Sequence, residues 1–461
     1  MPRFFRGRLL AAAVALPLLA SACTSTTATT SSAVTVTRST VAGPLPAVGT
    51  SARVAESPAA AGSAEASLTP ITDSATPPSP STAASSTAIS SAAPSTVVAP
   101  KPQVTSVPAD GATGASPVAP VTAAASNGTF TRVSLTNPEG RAVKGALSAD
   151  RKRWTSAEPL GYGRSYTLTS TASAPGGQTV RATSSFTTLE PAQTIYPSFF
   201  PNPDLKTVGV GQPMVVIFDK PPADKAAAER ALSVKTVPVV AGSWFWRDDR
   251  TVHYRPKDYW KAGTTITVTA KVYGVNLGGG AYGETDRSMT VKIGPSKIAQ
   301  VDDATKQMQV FIDGKKVKTY PVSLGQNKQL TVNGLDISLI TPSGTYVAQE
   351  KYLVKQMTSA SYGLPKDSPL GYDSKIPLAV RFSNEGIFVH SAPWSVQDQG
   401  VRNVSHGCIN MPPAGGQWFY DNFSYGDILT VTGTSTQLAP TDGYGDWNLS
   451  WDKWLAGSAL R

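Results

Sequence analysis

The sequence has no long hydrophobic run beyond its first residues, no block of lysine and arginine, and only two cysteines and three histidines among 461 residues. Without another apolar run of about 20 residues, nothing after the N-terminal segment can span a bilayer as a helix. The net charge of +10 is spread along the chain and is not accompanied by a nucleic-acid-binding motif. These absences exclude a protein with several membrane-spanning helices and argue against a nucleic-acid-binding protein.

The first 23 residues (1–23) are predicted to be a lipoprotein signal peptide rather than part of a fold. Three arginines precede a short apolar stretch, Leu9–Ala20, and small residues stand directly before Cys23. This ending resembles a bacterial lipobox, in which Cys23 becomes lipidated and forms the mature N-terminus; plain secretion is the alternative. We therefore expect the rest of the chain to be extracytoplasmic, anchored by lipid to the cell membrane and facing the cell wall or periplasm.

The remaining chain divides by composition into a stalk and several β-rich units. Residues 24–100 are almost entirely Ala, Ser, Thr, Pro and Val, which cannot bury enough apolar surface to offset the entropy of ordering, so a disordered stalk is predicted. Short alternating segments predict an immunoglobulin-like β-sandwich over 101–191 and a second over 192–294. A third β-rich unit, 295–434, and a tryptophan-rich C-terminal subdomain, 435–461, follow. The expected fold class is mainly β.

Two β-hairpins and one helix are predicted in the third unit. Segments Met308–Ile312 and Lys315–Tyr320 flank the pair Asp313-Gly314, which readily supplies the positive φ angles of a tight turn. A second hairpin is predicted between Leu378 and His390, and a short helix over Gln417–Phe423.

Four further side chains, one imidazole and three indoles, are expected to have structural rather than catalytic roles. His253 lies on a predicted strand of the second β-sandwich, where a histidine is usually a packing residue. Three tryptophans of the tail have roughly helical spacing and are expected to pack against one of the domains. They are Trp447, Trp451 and Trp454.

Cys408 is the candidate reactive residue of the chain, and His390 and His406 are its candidate bases. If Cys23 carries lipid, Cys408 has no partner for a disulfide and is an unpaired thiol in an exported protein. A thiol attacks as the thiolate, so it needs a group such as an adjacent imidazole to remove its proton. His390 ends a predicted strand 18 residues before Cys408, whereas His406 lies two residues before it. Spacing alone neither chooses between them nor excludes a cysteine that only fills space in the core.

The residues around this pair resemble the catalytic signature of the L,D-transpeptidase (YkuD-fold) family. The matching segments are HSAPWSV from His390, SHGCIN from Ser405, QWFYD from Gln417 and TPSGT from Thr341. The whole layout is similar to the mycobacterial and related actinobacterial lipoprotein type with two immunoglobulin-like domains. The resemblance implies that 295–434 is a YkuD-type β-rich catalytic domain.

This resemblance implies a peptidoglycan L,D-transpeptidase, a cysteine acyltransferase that forms 3→3 cross-links through a thioester on Cys408. His390 would be the general base and then the general acid, oriented by the backbone carbonyl of Ser391. His406 and Gly407 would line the oxyanion pocket. The family also implies lid or substrate-binding positions at Met357, Tyr372, Glu385, Gly386 and Asn410.

The partners implied by the resemblance are peptidoglycan stem peptides, namely a donor tetrapeptide and an acceptor whose diaminopimelate supplies the amine, together with carbapenem-type inhibitors. No cofactor and no metal is expected, since the loop Asn276–Gly280 lacks the carboxylates with which some relatives bind calcium. No nucleic-acid partner is expected, and a monomer is predicted. Two alternatives stay open: an L,D-carboxypeptidase that trims stem peptides with water, and a non-enzymatic wall-binding lipoprotein.

Overall fold

A computed structural model describes residues 100–202 and 204–461. The predicted signal peptide, the lipidation position Cys23 and the stalk up to residue 99 lie outside the described residues. Strands dominate the described part and its helices are short, which confirms the mainly β fold. None of the helices in this part has both the length and the hydrophobicity needed to cross a membrane.

The first β-sandwich consists of two four-stranded sheets, with strand orders β1-β2-β6-β5 and β4-β3-β7-β8. In chain order its strands are β1 (Gln103–Val107), β2 (Thr122–Ser126), β3 (Thr129–Thr136), β4 (Ala142–Val143), β5 (Gly145–Leu147), β6 (Arg153–Ser156), β7 (Ser165–Ser173) and β8 (Thr179–Thr187). Alternate side chains point inward to a core that contains Phe130, Trp154 and Leu168.

The second β-sandwich is built from two further four-stranded sheets, β10-β12-β15-β14 and β11-β18-β16-β13, with the short pair β17-β9 beside them. Its elements are β9 (Gln193–Ile195), β10 (Pro197–Phe200), β11 (Thr207–Val208), β12 (Met214–Phe218), α1 (Lys225–Arg230), β13 (Leu232–Val237), β14 (Gly242–Trp246), β15 (Thr251–Pro256), β16 (Thr265–Ala270), β17 (Ala281–Gly283) and β18 (Arg287–Ile293). The core includes Met214, Trp260 and Val268.

The third unit contains the five-stranded sheet β21-β20-β19-β29-β24, the four-stranded sheet β25-β26-β27-β28 and the hairpin β22-β23. Its elements are β19 (Lys297–Asp302), β20 (Gln307–Ile312), β21 (Lys315–Pro321), β22 (Gln329–Val332), β23 (Leu335–Ser338), β24 (Gly344–Val347), β25 (Glu350–Thr358), β26 (Asp373–Arg381), β27 (Phe388–Ser391), β28 (Ile409–Met411), α2 (Pro413–Asn422) and β29 (Ile428–Thr432). Tyr346, Phe382 and Phe419 lie in the core between the two larger sheets and α2.

Both predicted hairpins of this unit are confirmed. Asp313 and Gly314 have φ angles of 48° and 78°, the two positive values that a tight hairpin turn between β20 and β21 requires. The helix predicted over Gln417–Phe423 begins earlier, at Pro413, because a proline fits the first turn of a helix, where its missing N–H is not needed.

The C-terminal tail forms a 3-10 helix, Gly445–Asn448, and the short helix α3 (Trp451–Leu455). Its tryptophans pack against the second β-sandwich: the Arg255 guanidinium of β15 lies 4.7 Å from the ring centre of Trp447 and 4.4 Å from that of Trp454. On its other side, the Asn448 amide accepts from the N–H of Thr345 in β24 and donates to its carbonyl, both at 2.8 Å. The tail therefore packs against a domain, as predicted, and contacts the third unit as well.

Candidate active site

The four-stranded sheet of the third unit brings His390 and Cys408 together. Strands β27 and β28 run parallel with His390 paired to Asn410, and Cys408 immediately precedes β28. Cys408 therefore lies two residues before the partner of His390 in this ladder. The backbone N–H of Phe388, two residues before His390, lies close enough to the Cys408 sulfur to affect its pKa.

The His390 ring is buried and held in one tautomer. Its Nδ1 donates to the backbone carbonyl of Ser391 at 2.9 Å, so Nδ1 carries the proton and Nε2 is free to accept one. Burial lowers the pKa of His390 to about 4, against the opposing effect of this hydrogen bond. Helix α2 supports the strand from behind, where a Cβ on Gly416 would come within 2.7 Å of the Ser391 side chain. Near neutral pH the ring is therefore an uncharged base.

Cys408 is the free thiol of the described residues and is partly exposed. Its Sγ lies 3.5 Å from the backbone carbonyl of Gly386, which accepts the S–H proton. Burial raises the pKa of Cys408 to about 11, while the N–H of Phe388 opposes the shift. The resting pair is thus a neutral thiol beside a neutral imidazole, and the thiol proton must move as the sulfur attacks.

Two hydroxyls hold the turn that carries Cys408. Ser405 Oγ accepts from the Gly407 N–H at 3.2 Å and donates to the Cys408 carbonyl at 2.5 Å. Thr341 Oγ1 accepts from the Gly325 N–H at 2.9 Å and donates to the Gly407 carbonyl at 2.6 Å. Gly407 has φ 125°, a conformation that a residue with a Cβ rarely adopts.

This arrangement leaves two backbone donors of the turn available. Within residues 100–202 and 204–461, no acceptor contacts the N–H of His406 or of Cys408, whereas the N–H of Gly407 is already satisfied. A free N–H next to a nucleophile can stabilise negative charge on a substrate oxygen. The sequence does not indicate that Ser405 and Thr341 hold this turn, although both residues lie in segments that resemble the family.

His406 contacts the segment that ends at Tyr372. Its Nε2 lies 2.9 Å from the backbone carbonyl of Leu370, to which it donates, and its ring centre is 4.9 Å from that of Tyr372. Burial lowers the pKa of His406. Nδ1 of His406 is thus left able to accept a proton, just as Nε2 is in His390, so these hydrogen bonds do not choose between the two rings and His390 stays the predicted base.

Residues 359–372, which we call the lid segment, cover the His406 side of the site. The segment begins with a 3-10 helix, Ser359–Tyr362, and packs on the β22-β23 hairpin through a small apolar cluster that includes Ile337 and Leu364. The Ser359 hydroxyl accepts from the Tyr372 N–H at 2.9 Å and closes the segment on itself. Burial, reinforced by the nearby Cys408, raises the pKa of the Tyr372 phenol.

The other predicted substrate-binding residues lie around the same sheet. Met357 is half-buried near the end of β25, just before the lid segment. Glu385 and Gly386 form the turn between β26 and β27, where the Glu385 N–H donates to Asp442 Oδ1 at 3.1 Å. Asn410 is buried and donates from Nδ2 to the Ser395 hydroxyl at 3.0 Å. Their proposed contact with a stem peptide therefore stays a prediction, and it is least direct for Asn410.

No group of three or more His, Cys, Asp or Glu side chains suited to holding a metal ion occurs in the described part of the chain. What the site assembles is a thiol, a neutral imidazole oriented by a carbonyl, and a free backbone N–H. This set can carry out acyl transfer through a covalent thioester without any other group.

Comparisons with known proteins identify relatives of both parts of the chain. Residues 112–276 match the family described as bacterial Ig domain, and residues 296–432 match YkuD, the L,D-transpeptidase catalytic domain. L,D-transpeptidase 2 of Mycobacterium tuberculosis (strain CDC 1551 / Oshkosh) is 42% identical over 359 residues, covering 78% of this chain and 85% of that protein. L,D-transpeptidase 5 of Mycobacterium tuberculosis (strain ATCC 25618 / H37Rv) is 39% identical over 366 residues and 78% of each chain. A solved LD transpeptidase structure in complex with imipenem is 31% identical, with a TM-score of 0.43, covering 51% of this chain and 97% of that one.

Proposed function

The chain belongs to the L,D-transpeptidase family, and on that premise we propose that it joins peptidoglycan stem peptides through 3→3 cross-links, with Cys408 as the nucleophile. The observation that carries the proposal is the parallel pairing of β27 with β28, which sets His390 opposite Asn410, two residues after Cys408. The Nδ1 contact with Ser391 supports His390 as the base, because it leaves Nε2 able to accept a proton.

In the first half-reaction, the Cys408 sulfur attacks the carbonyl carbon of the amide between the third and fourth residues of a donor tetrapeptide. The thiol proton passes to His390 Nε2 as the C–S bond forms. The C–N bond then breaks, and the imidazolium returns the proton to the departing amine of the terminal D-alanine. The free N–H groups of Cys408 and His406, with Gly407 between them in the turn, stabilise the oxygen while it is negative.

In the second half-reaction, the side-chain amine of diaminopimelate on another stem attacks the thioester carbon. The amine gives a proton to His390 Nε2, the new C–N bond forms, the C–S bond breaks, and the proton returns to the sulfur. The lid segment with Tyr372, and Met357 beside it, would keep water from resolving the thioester instead. Glu385 and Gly386, in the turn between β26 and β27, and Asn410 in β28 would contact the donor stem.

The same chemistry accounts for the remaining parts of the proposal. A carbapenem presents a strained acyl group that the Cys408 sulfur can open, so carbapenems are expected to label the chain covalently. The substrate is part of the cell wall, so we propose that the chain works outside the cytoplasm as a monomer, anchored through a lipid on Cys23.

Product analysis tests the proposal directly. The full chain is incubated with a tetrapeptide donor whose own side-chain amine is blocked by acetylation, with and without a stem peptide that offers the free diaminopimelate amine, and the products are identified by mass spectrometry. We expect a dimer that has lost one D-alanine only when the acceptor is present. Release of D-alanine without a dimer in either reaction would instead indicate the carboxypeptidase. No product together with no carbapenem adduct would contradict every enzymatic function.

The pH dependence of acylation follows from the two shifted pKa values. Because the pKa of His390 is lowered to about 4 and that of Cys408 is raised to about 11, both groups keep one protonation state across the neutral range. We expect the rate of carbapenem acylation to be flat from about pH 6 to 9 and to fall as the pH decreases through about 4, where His390 becomes protonated and cannot accept the thiol proton. A rate that rises through about pH 8.5, as for an ordinary cysteine, would contradict this prediction. Circular dichroism at each pH checks that the chain stays folded.

The Thr341 hydroxyl is predicted to be needed for the rate. Thr341→Val keeps the volume but leaves the buried Gly407 carbonyl and Gly325 N–H without partners, a loss of about 1–3 kcal/mol. If this loss raises the activation free energy of acylation by the same amount, the acylation rate falls by about 10- to 100-fold. The matched control Thr341→Ser keeps the hydroxyl and should retain most of the rate. Equal rates in the two variants would show that the hydroxyl does not position the turn.

A further inference from the structure

The site contains two pairs of a histidine and an aromatic ring. The ring centres of His406 and Tyr372 are 4.9 Å apart, and this pair belongs with the lid segment. The ring centres of His390 and Trp394 are 5.8 Å apart with an angle of 27° between the planes, a stacked arrangement. The first pair already has a place in the proposed function, whereas Trp394 of the second has none so far.

The backbone around Trp394 is firmly held. Trp394 lies in the 3-10 helix Pro393–Ser395, which follows directly from β27. The Ala392 N–H donates to the Met411 carbonyl at 2.9 Å, and the buried Gln399 side chain donates to the Ala392 carbonyl at 3.0 Å. The indole is therefore presented to the His390 ring by a rigid segment rather than by a mobile loop.

Trp394 differs from every other tryptophan in the described residues, which include all nine of the chain. It is 53% exposed, and the others are buried or half-buried. Five of the others lie under a lysine or arginine of this chain, and the remaining three are buried in the two β-sandwiches. No cation of the described chain lies over the Trp394 ring.

An exposed indole that is held rigidly beside a base, with no cation of its own, fits a cationic ligand. Tryptophan is the best of the aromatic side chains at attracting an ammonium group to its ring face, and the attraction grows as the site loses water. Asp398, the acidic residue of segment 393–404, does not compete with the ring for an ammonium group, because it is buried and its carboxylate already contacts Arg402 at 2.5 Å. The ring therefore offers an unoccupied site for a primary ammonium group.

We propose that the exposed face of Trp394 binds the ammonium group of the acceptor and so favours an amine over water as the group that resolves the thioester. The inference rests on the proposed function and adds an acceptor site beside His390. Held over the indole, the ammonium group loses one proton to solvent. The resulting amine attacks the thioester carbon and gives a second proton to His390 Nε2, which returns it to the sulfur as the C–S bond breaks.

The test separates acceptor binding from acylation in the full chain. Trp394→Leu keeps an apolar side chain but removes the ring, and we expect the acceptor concentration for half-maximal cross-linking to rise by about 5- to 30-fold. The rate of carbapenem acylation should change by less than about twofold, since acylation does not use the acceptor. Trp394→Phe should fall between the parent and Trp394→Leu. The control Val401→Ala changes a 70% exposed side chain of the same segment and should match the parent.

Fluorinated tryptophans placed at position 394 alone distinguish cation binding from simple packing. One, two and three fluorines progressively weaken the negative face of the ring while keeping its shape, so the acceptor KM should rise stepwise with their number. An acceptor KM that stays constant across the fluorinated series, or acylation that falls as much as cross-linking in Trp394→Leu, would overturn the acceptor role. If the unmodified chain forms no cross-linked dimer at all, the proposed function fails and the acceptor role falls with it. A dimer formed with the same KM in every variant removes only the role of Trp394.

Discussion

Replacing Cys408 with alanine is expected to abolish both the covalent carbapenem adduct and the cross-linked dimer. The substitution removes the atom that bonds to the acyl group, and neither the free N–H beside it nor His390 can replace a nucleophile. Removal of a covalent nucleophile reduces turnover by on the order of 10⁴-fold or more. The loss should therefore exceed that of any other substitution in the site. Intact-mass measurement after incubation with a carbapenem gives the readout for the adduct.

The chain supplies its own control for this experiment, because its second cysteine is Cys23. Cys23→Ala in an unlipidated full chain should still gain the mass of one carbapenem, while Cys408→Ala should gain none. Cys408 is partly exposed and its side chain is small, so Cys408→Ala should fold and unfold like the parent. An adduct on the folded Cys408→Ala protein would show that another residue is the nucleophile and would remove the basis of the proposed function.

Local sequence signals predicted the parts of the fold that depend on neighbouring residues. The pair Asp313-Gly314 predicted its hairpin correctly, because positive φ angles at two successive positions select such residues. Strand β28 has only three residues, Ile409–Met411, and its parallel partner β27 lies about 20 positions earlier. Such a short strand has too few alternating positions to be recognised from its sequence, so the pairing that joins His390 to Cys408 needed the structure.

The site shows the same division between local and distant contacts. His390, Cys408 and the carbonyl of Ser391 were found from the motif, since all three belong to its two segments. The hydroxyl of Thr341 reaches the carbonyl of Gly407 across 66 positions, and no spacing rule connects them. Trp394 is part of the motif, but its stacking on His390 and the absence of a described lysine or arginine over its ring could be seen only in the folded chain.

Ion pairs between distant residues, such as those of the tail, also could not be predicted from the sequence. The spacing of its tryptophans predicted that it packs against a domain, but nothing in the spacing indicated Asp446. This residue is fully buried, and its Oδ2 lies 2.8 Å from Nδ1 of His253 in β15. Its Oδ1 contacts Arg247, which also donates to the Pro440 carbonyl at 2.7 Å. His253 is therefore structural, as predicted, and its partner is a carboxylate about 190 positions later.

Asp446→Ala is expected to destabilise the chain by about 3–5 kcal/mol, the usual effect of removing one member of a buried ion pair. The substitution leaves the Arg247 guanidinium buried without its carboxylate, and it removes the acceptor for His253. Because both partners belong to the second β-sandwich, the tail should separate from it before the rest of the chain unfolds. Urea unfolding followed by tryptophan fluorescence gives the measurement, since the tail holds three tryptophans that pack near Arg255.

The acid dependence of stability provides an independent check on this cluster. Burial alone would raise the pKa of Asp446, but His253 and Arg247 outweigh it and hold this pKa below its ordinary value. A carboxylate whose pKa is lower in the folded state stabilises the fold above its unfolded pKa of about 3.9, and the stabilisation is lost as the pH falls through the folded value. As the pH falls, the free energy of unfolding should therefore decrease less in Asp446→Ala than in the parent. Asp452→Ala, at an exposed position of α3, is the matched control and should keep both the stability and the acid slope of the parent. If Asp446→Ala and Asp452→Ala unfold at the same urea concentration, the buried cluster does not hold the tail in place.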